Sequence, residues 1–266
     1  MSLWNPLNWV MVTAGTSVLA ACCAVTAWGQ GALDQRMAPA ARLSAAPTVS
    51  VATLRIPQEA WKHFDRAKAA AEHHRDEEFE RESAKALQIA PEFAEMYRLR
   101  ATVQLGAKQY EAAIASVQAA LRADPGTLWT NVMLAGAYNG LHRFHDALLV
   151  LDAQRGREAE SWQAMYERAR AEIGAHEAAS ALHWSARMLE AAPKEFADAH
   201  LVRANALILG ERLSEAAGQL EIYLSSKGFQ QHRPEVLALR DLVNSRLAAA
   251  DRLAAAPQAQ TEIASR

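Results

Sequence analysis

Two short stretches place metal-binding side chain types one helical turn apart. AEHHRDEEFE sets His73 and His74 three to five residues before Glu77 and Glu78, and LHRFHD sets His142 three residues before His145 and beside Asp146. Imidazole nitrogens and carboxylate oxygens at such spacing are the donors a divalent metal takes from one helix face. A complete site needs further ligands from elsewhere, and no third or fourth ligand cluster accompanies either stretch. Both lie among charged residues, where a solvated face is the ordinary state. No metal and no cofactor are therefore expected. The only thiols, Cys22 and Cys23, sit side by side in SVLAACCAVTAWGQ, so the chain from Asp34 onward offers no cysteine nucleophile. Neither HExxH, nor a P-loop, nor GxSxG, nor GxGxxG occurs. The residues predict a protein that is not an enzyme.

The cysteines belong to an unusual beginning. The first 33 residues carry no charged side chain, although the chain has 28 basic and 30 acidic residues. Within this start, Trp9 to Ala21 is a mostly apolar run, long enough for the core of an export signal and short for a membrane span. Three fates stay open. Leu19-Ala20-Ala21-Cys22 resembles a lipobox, which would make Cys22 a lipidation site. Val25-Thr26-Ala27 and Ala27-Trp28-Gly29 carry the small residues an ordinary signal peptidase needs. Extension of the run to Trp28 would instead make residues 1–29 an uncleaved anchor. Each fate predicts an exported protein, periplasmic or membrane-anchored at a bacterial cell envelope. A folded part without thiols suits an oxidising compartment. Against a signal stands MSLWNPLN, which lacks the usual Lys or Arg.

Residues 30–57, rich in Ala, Pro and Ser, read as a linker. Beyond them the composition is that of helix. Alanine is abundant, aromatics make up 7% and glycine is modest. The formal net charge of −2 leaves no basic excess for nucleic acid.

The elements that must position any site follow from an internal repeat. ALQIAP, ALRADP and MLEAAP end at Pro91, Pro125 and Pro193, separated by 34 residues and twice 34. The absent member falls in GREAES, a turn without proline. In the best-formed unit, LAGAYNGLHRFHDALLVL, small Ala135 and Ala147 alternate with Leu134, Tyr138, Phe144 and Leu151. Small residues let two helices approach closely, while large ones fill the space beside them. The pattern recurs with Ala101, Ala113 and Ala120, with Ala169 and Ala181, and with Ala204 and Ala216. An earlier, poorer unit keeps Ala67 and Ala86 but has Phe79 where a small residue is expected.

A proline-closed, 34-residue period with this Ala pattern resembles the tetratricopeptide repeat (TPR) family. The resemblance implies an all-α solenoid of antiparallel helix pairs, with about four to five repeats over residues 58–228. A helix over 229–256, with Val236, Leu239, Leu242, Val243 and Leu247 on one stripe, is expected to cap the stack. Residues 257–266 are expected to form a disordered tail.

The resemblance also implies a concave groove lined by the first helix of each pair. Carried onto this sequence, the groove positions are Trp61, Phe64 and Lys68, then Glu95, Arg98 and Thr102, then Trp129, Val132 and Asn139. Further along they are Tyr166, Arg170 and Ile173, then Leu201, Asn205 and Ile208. Trp, Tyr and Arg carry much of the energy of protein interfaces. The scattered Lys68, Arg170 and Asn205 do not make the basic clamp of chaperone-binding members, so a C-terminal acidic peptide is not the expected ligand. The implied function is a scaffold binding a partner protein or peptide. The alternative is a structural accessory subunit of a cell-envelope assembly or secretion complex.

Overall fold

The computed structural model describes residues 55–125, 127–154, 161–194, 196–226 and 233–264. The leader with Cys22, the linker up to Leu54 and the GREAES turn before its Ser161 lie outside the described residues. The described residues form helices and turns, with no strand among them. The helices are α1 Gln58–Glu72, α2 Asp76–Ile89, α3 Ala94–Gly106, α4 Tyr110–Ala123, α5 Leu128–Gly140 and α6 Phe144–Asp152. They continue as α7 Trp162–Gly174, α8 Ala178–Ala191, α9 Asp198–Leu209, α10 Leu213–Ser225 and α11 Arg233–Ala264. Two compact units result, one ending at Arg157 and the other starting at Glu158.

In the N-terminal unit α1 packs on α2, α3 on α4 and α5 on α6, and α3 also contacts α1 and α5. In the C-terminal unit α7 packs on α8 and α9 on α10, with α11 against α10. The reason lies in the alanines. Ala67, Ala86, Ala101, Ala113, Ala135, Ala147, Ala169, Ala181, Ala204 and Ala216 all have no exposed surface. Each lies on one of the paired helices, where a buried methyl group lets the neighbouring helix pack close. Phe79, the misfit of the first pair, is buried too, at 2% exposure. Each unit has its own core. One cluster of the N-terminal unit gathers Phe79, Phe93 and Met96 with small alanines, and a second gathers Leu105, Val117, Met133 and Leu134. In the C-terminal unit Leu220, Tyr223 and Leu224 pack with Val236, Leu239 and Val243 of α11.

The turns inside the pairs repeat as regularly as the alanines. His74, Lys108, His142, His176 and Glu211 all have left-handed backbone, with φ between 53° and 61°. The first four are 34 residues apart and the fifth follows after 35. Behind each, the next amide donates to a carbonyl five residues back: Arg75 to Ala70, Gln109 to Gln104, Arg143 to Tyr138, Glu177 to Glu172 and Arg212 to Leu207, at 2.8–2.9 Å. This closes the helix end by satisfying a carbonyl the helix leaves free. Glycine is the preferred residue at such a position, and none of the five is glycine.

One helix is shorter than its counterparts, and one expectation meets a different outcome. α6 stops after 9 residues, whereas α2, α4 and α8 each run to 14. This is the pair whose closing proline is missing from the sequence. α11 does not end near Ala256: its backbone is helical through Pro257 to Ala264, where a disordered tail was expected. A proline removes one amide donor, and the strong helix formers Leu, Ala and Gln around it carry the turn across.

Candidate partner-binding face of the first helices

Residues three and four apart share a helix face, so Trp61, Phe64 and Lys68 form one stripe on α1. The two rings meet edge to face, with centroids 5.4 Å apart. Both rest on Phe93, at 4.6 Å and 5.5 Å. Phe93 immediately precedes α3 and is fully buried, so it backs the pair with a rigid ring. Trp61 and Phe64 themselves keep part of their surface open, and so does Lys68. On α5, Trp129 is likewise partly open and leans on the second core cluster.

The neighbouring predicted positions have other duties. Arg98 is a clamp between α3 and the segment leading into α5. It donates to Thr130 Oγ1 at 2.9 Å and Thr127 Oγ1 at 3.1 Å, and it is ion-paired with Asp124. A further ion pair joins it to Glu95 at 3.5 Å. A planar guanidinium can hold several acceptors at once, so it fixes the geometry of the turn before α5. Thr102 is buried and donates to the Arg98 carbonyl at 2.9 Å. Val132 and Asn139 are buried at 4% and 3% exposure.

In the C-terminal unit the predicted face is mostly closed. Tyr166 has no exposed surface and is a core residue, not a groove residue. Its ring lies 5.5 Å from Phe196, and Arg170 stacks 5.6 Å above it. Arg170 is also bonded to Glu167 at 2.9 Å. Ile173, Leu201 and Asn205 are buried, and Ile208 packs against the core cluster. The partly open aromatic residue here is Trp162, 4.7 Å from Phe196. The groove positions did not include it. A signal was present: PEFA and PKEFA both place a Phe just after the closing proline. Each Phe backs a Trp of the preceding first helix.

Two polar pairs also occupy matching places. His63 Nδ1 donates to Glu82 Oε2 at 2.7 Å across α1 and α2. In the other unit His200 Nδ1 meets Gln219 Oε1 at 2.8 Å across α9 and α10. Glu82 is 4% exposed, and the His63 hydrogen bond, helped by Lys85 and Arg81 against the cost of burial, lowers its pKa from 4.5 to about 2. The His-carboxylate stretches hold no metal-type arrangement. Glu78 pairs with Arg75 and Asp146 with Arg143, both at 2.7 Å. Among the described residues no group of three or more His, Cys, Asp or Glu side chains converges to hold a metal ion. Among them, too, no helix is long and apolar enough to cross a membrane.

No family model matches the sequence, nor does any curated relative. Solved structures do. The chain is similar to YrrB, a TPR protein described as having an unusual peptide-binding site. The identity is 19% and the TM-score 0.52, over 69% of this chain and 93% of YrrB. It is also similar to the TPR domain of P58(IPK), at 13% identity and a TM-score of 0.33, over 91% of this chain and 79% of that one. With its paired helices, 34-residue turns and buried alanines, this chain has the all-α helical-repeat fold that the YrrB structure shares.

Proposed function

We propose that the protein is a binding scaffold that takes a partner protein or peptide against the first helices of its N-terminal unit, and that it is not an enzyme. One observation carries this reading: Trp61, Phe64 and Trp129 stay partly open, while the buried Phe93 holds the first two rings in place. Rigid, half-open aromatic side chains present large contact area at little cost in conformational entropy. The similar YrrB structure is described as having a peptide-binding site, which supports a peptide as the occupant. Tyr166, Val132, Asn139 and Asn205 drop out as contact residues because they are buried, and Arg98 and Arg170 because they are already paired.

Affinity capture from membranes tests this reading, with the full chain compared with a Trp61→Ala/Trp129→Ala variant. A partner held by the native chain and lost from the variant is the expected result. A fixed stoichiometric complex indifferent to both substitutions would favour the structural accessory subunit instead.

The proposal includes location. The uncharged start, the lipobox-like Leu19-Ala20-Ala21-Cys22 and the thiol-free remainder support export or membrane tethering through residues 1–29. Intact mass of the purified protein separates the three fates. Acylation at Cys22 adds mass that Cys22→Ser abolishes and Cys23→Ser leaves, plain cleavage only subtracts mass, and an anchor keeps the full chain. An intact, unmodified and soluble chain would overturn the export reading.

A further inference from the structure

The segment that leads into α1 reads TVSVATLRI over residues 48–56. Its one charge is Arg55, and its large apolar residues are Val49, Val51, Leu54 and Ile56. The described chain starts inside it. Ile56 is partly buried and packs against the core cluster of Phe79, Phe93 and Met96, on which Trp61 and Phe64 also rest. Arg55 is exposed. A turn at Arg55 and a bend at Ile56 deflect the backbone just before Pro57, the N-cap of α1. Ile56 thus stands one residue before the cap and Trp61 is the fourth residue of the helix. Apolar side chains at these two positions fix the angle at which a chain enters a helix. Here it enters on the side of the aromatic stripe.

We infer that residues 49–54 of this same chain occupy the Trp61–Phe64 face and that a partner must displace them, an inference that rests on reading that face as the partner-binding surface. The point where the segment joins the described chain selects the occupant. Leu54 is two residues from Ile56, which is already seated on the cluster that carries both rings. The reach is sufficient. An extended chain advances about 3.3 Å per residue, so five residues from Ile56 to Val51 span about 16 Å, while Trp61 to Lys68 rises only about 10 Å along α1. The chemistry also fits. Residues 49–54 carry no charge, so valine and leucine side chains cover the rings without burying an unpaired ion. A segment tied directly to α1 meets its site at a roughly millimolar effective concentration, so a weak apolar contact is enough to hold it there. A partner then binds only the open fraction, and its apparent affinity falls in proportion.

Thiol labelling of the full chain tests this. Val51→Cys and, as a reference further up the linker, Ala40→Cys are each treated with a maleimide, and the extent is read peptide by peptide by mass spectrometry. Position 51 should label about tenfold more slowly than position 40, the ratio for a segment docked nine-tenths of the time. Adding Leu54→Asp, which alters no helix residue, should raise position 51 to the reference rate. Phe64→Ala should do the same, with circular dichroism and a thermal melt establishing that it is folded. Should it not fold, Leu54→Asp decides alone. Equal rates at the two positions in the otherwise native chain, or slow labelling indifferent to Leu54→Asp, would overturn the proposal. Slow labelling that fades on dilution would assign the occupant to a second copy and overturn the intrachain assignment. Capture of the partner should rise several-fold with Leu54→Asp, and capture unchanged by it would overturn the competition. The labelling needs no partner, so its failure is distinct from failure of the partner-binding reading, which shows as capture indifferent to Trp61→Ala/Trp129→Ala.

Discussion

At the scale of single residues, the tightest constraint lies where a pair of helices meets the next. Gly140 ends α5 against the ring of Tyr110: an added Cβ would come within 2.3 Å of Tyr110 Cε1. Gly106, one repeat earlier, would meet nothing within 4 Å. Gly140→Ala should therefore cost about 1–3 kcal/mol through overpacking. Gly106→Ala should add about 0.5–1 kcal/mol, because alanine loses less backbone entropy in a helix. Equal melting temperatures for the two variants would contradict the packing described here. Glu82 offers a second test. Its carboxyl is held below its usual 4.5, at about 2, first by the His63 hydrogen bond. A carboxyl with a depressed pKa stabilises the fold fully above pH 4.5 and loses that contribution as pH falls towards 2. Denaturant midpoints measured across this window should fall in the native chain. In Glu82→Gln the fall should be visibly shallower.

At the scale of elements, the five left-handed turns are the most regular feature of the molecule. A side chain in this backbone region crowds the following carbonyl and costs roughly 1–2 kcal/mol. Lys108 and Glu211 are exposed at two of these turns. Replacing either with glycine should relieve the strain and stabilise the chain by about 1 kcal/mol. A lowered melting temperature would show that the side chains do something the backbone does not reveal. The paired helices make the complementary prediction. Ala135 and Ala147 have no exposed surface. Leucine at either site should force α5 and α6 apart and cost about 1–3 kcal/mol. Unchanged melting for both would mean that the helix pair is registered differently.

At the scale of the whole molecule, a chain beginning at Ser44 should give a far-UV circular dichroism spectrum dominated by helix and melt cooperatively. Appreciable strand signal would rule out the repeat fold. Much of that fold was legible because repetition multiplies weak signals. One buried alanine means little, but the same alanine recurring at a 34-residue period identifies a close helix contact. Proline spacing located the ends of α2, α4 and α8, since proline lacks an amide donor and its ring crowds the preceding turn. The candidate site was legible only in part. The positions that the family resemblance implies put Trp61, Phe64 and Lys68 on one face of α1, where each keeps part of its surface open. Tyr166 obeyed the same spacing and is buried, because Phe196, thirty residues on in the chain, covers its ring. Arg98 obeyed it too and is held by Asp124, Thr127 and Thr130. The sequence by itself determined the helices, their pairing and the small residues at their contacts, all of which rest on local periodicity. Tertiary structure alone decided which first-helix side chains stay open and which cations gather around Glu82. Both depend on neighbours brought close by packing, and spacing along one helix carries no information about them.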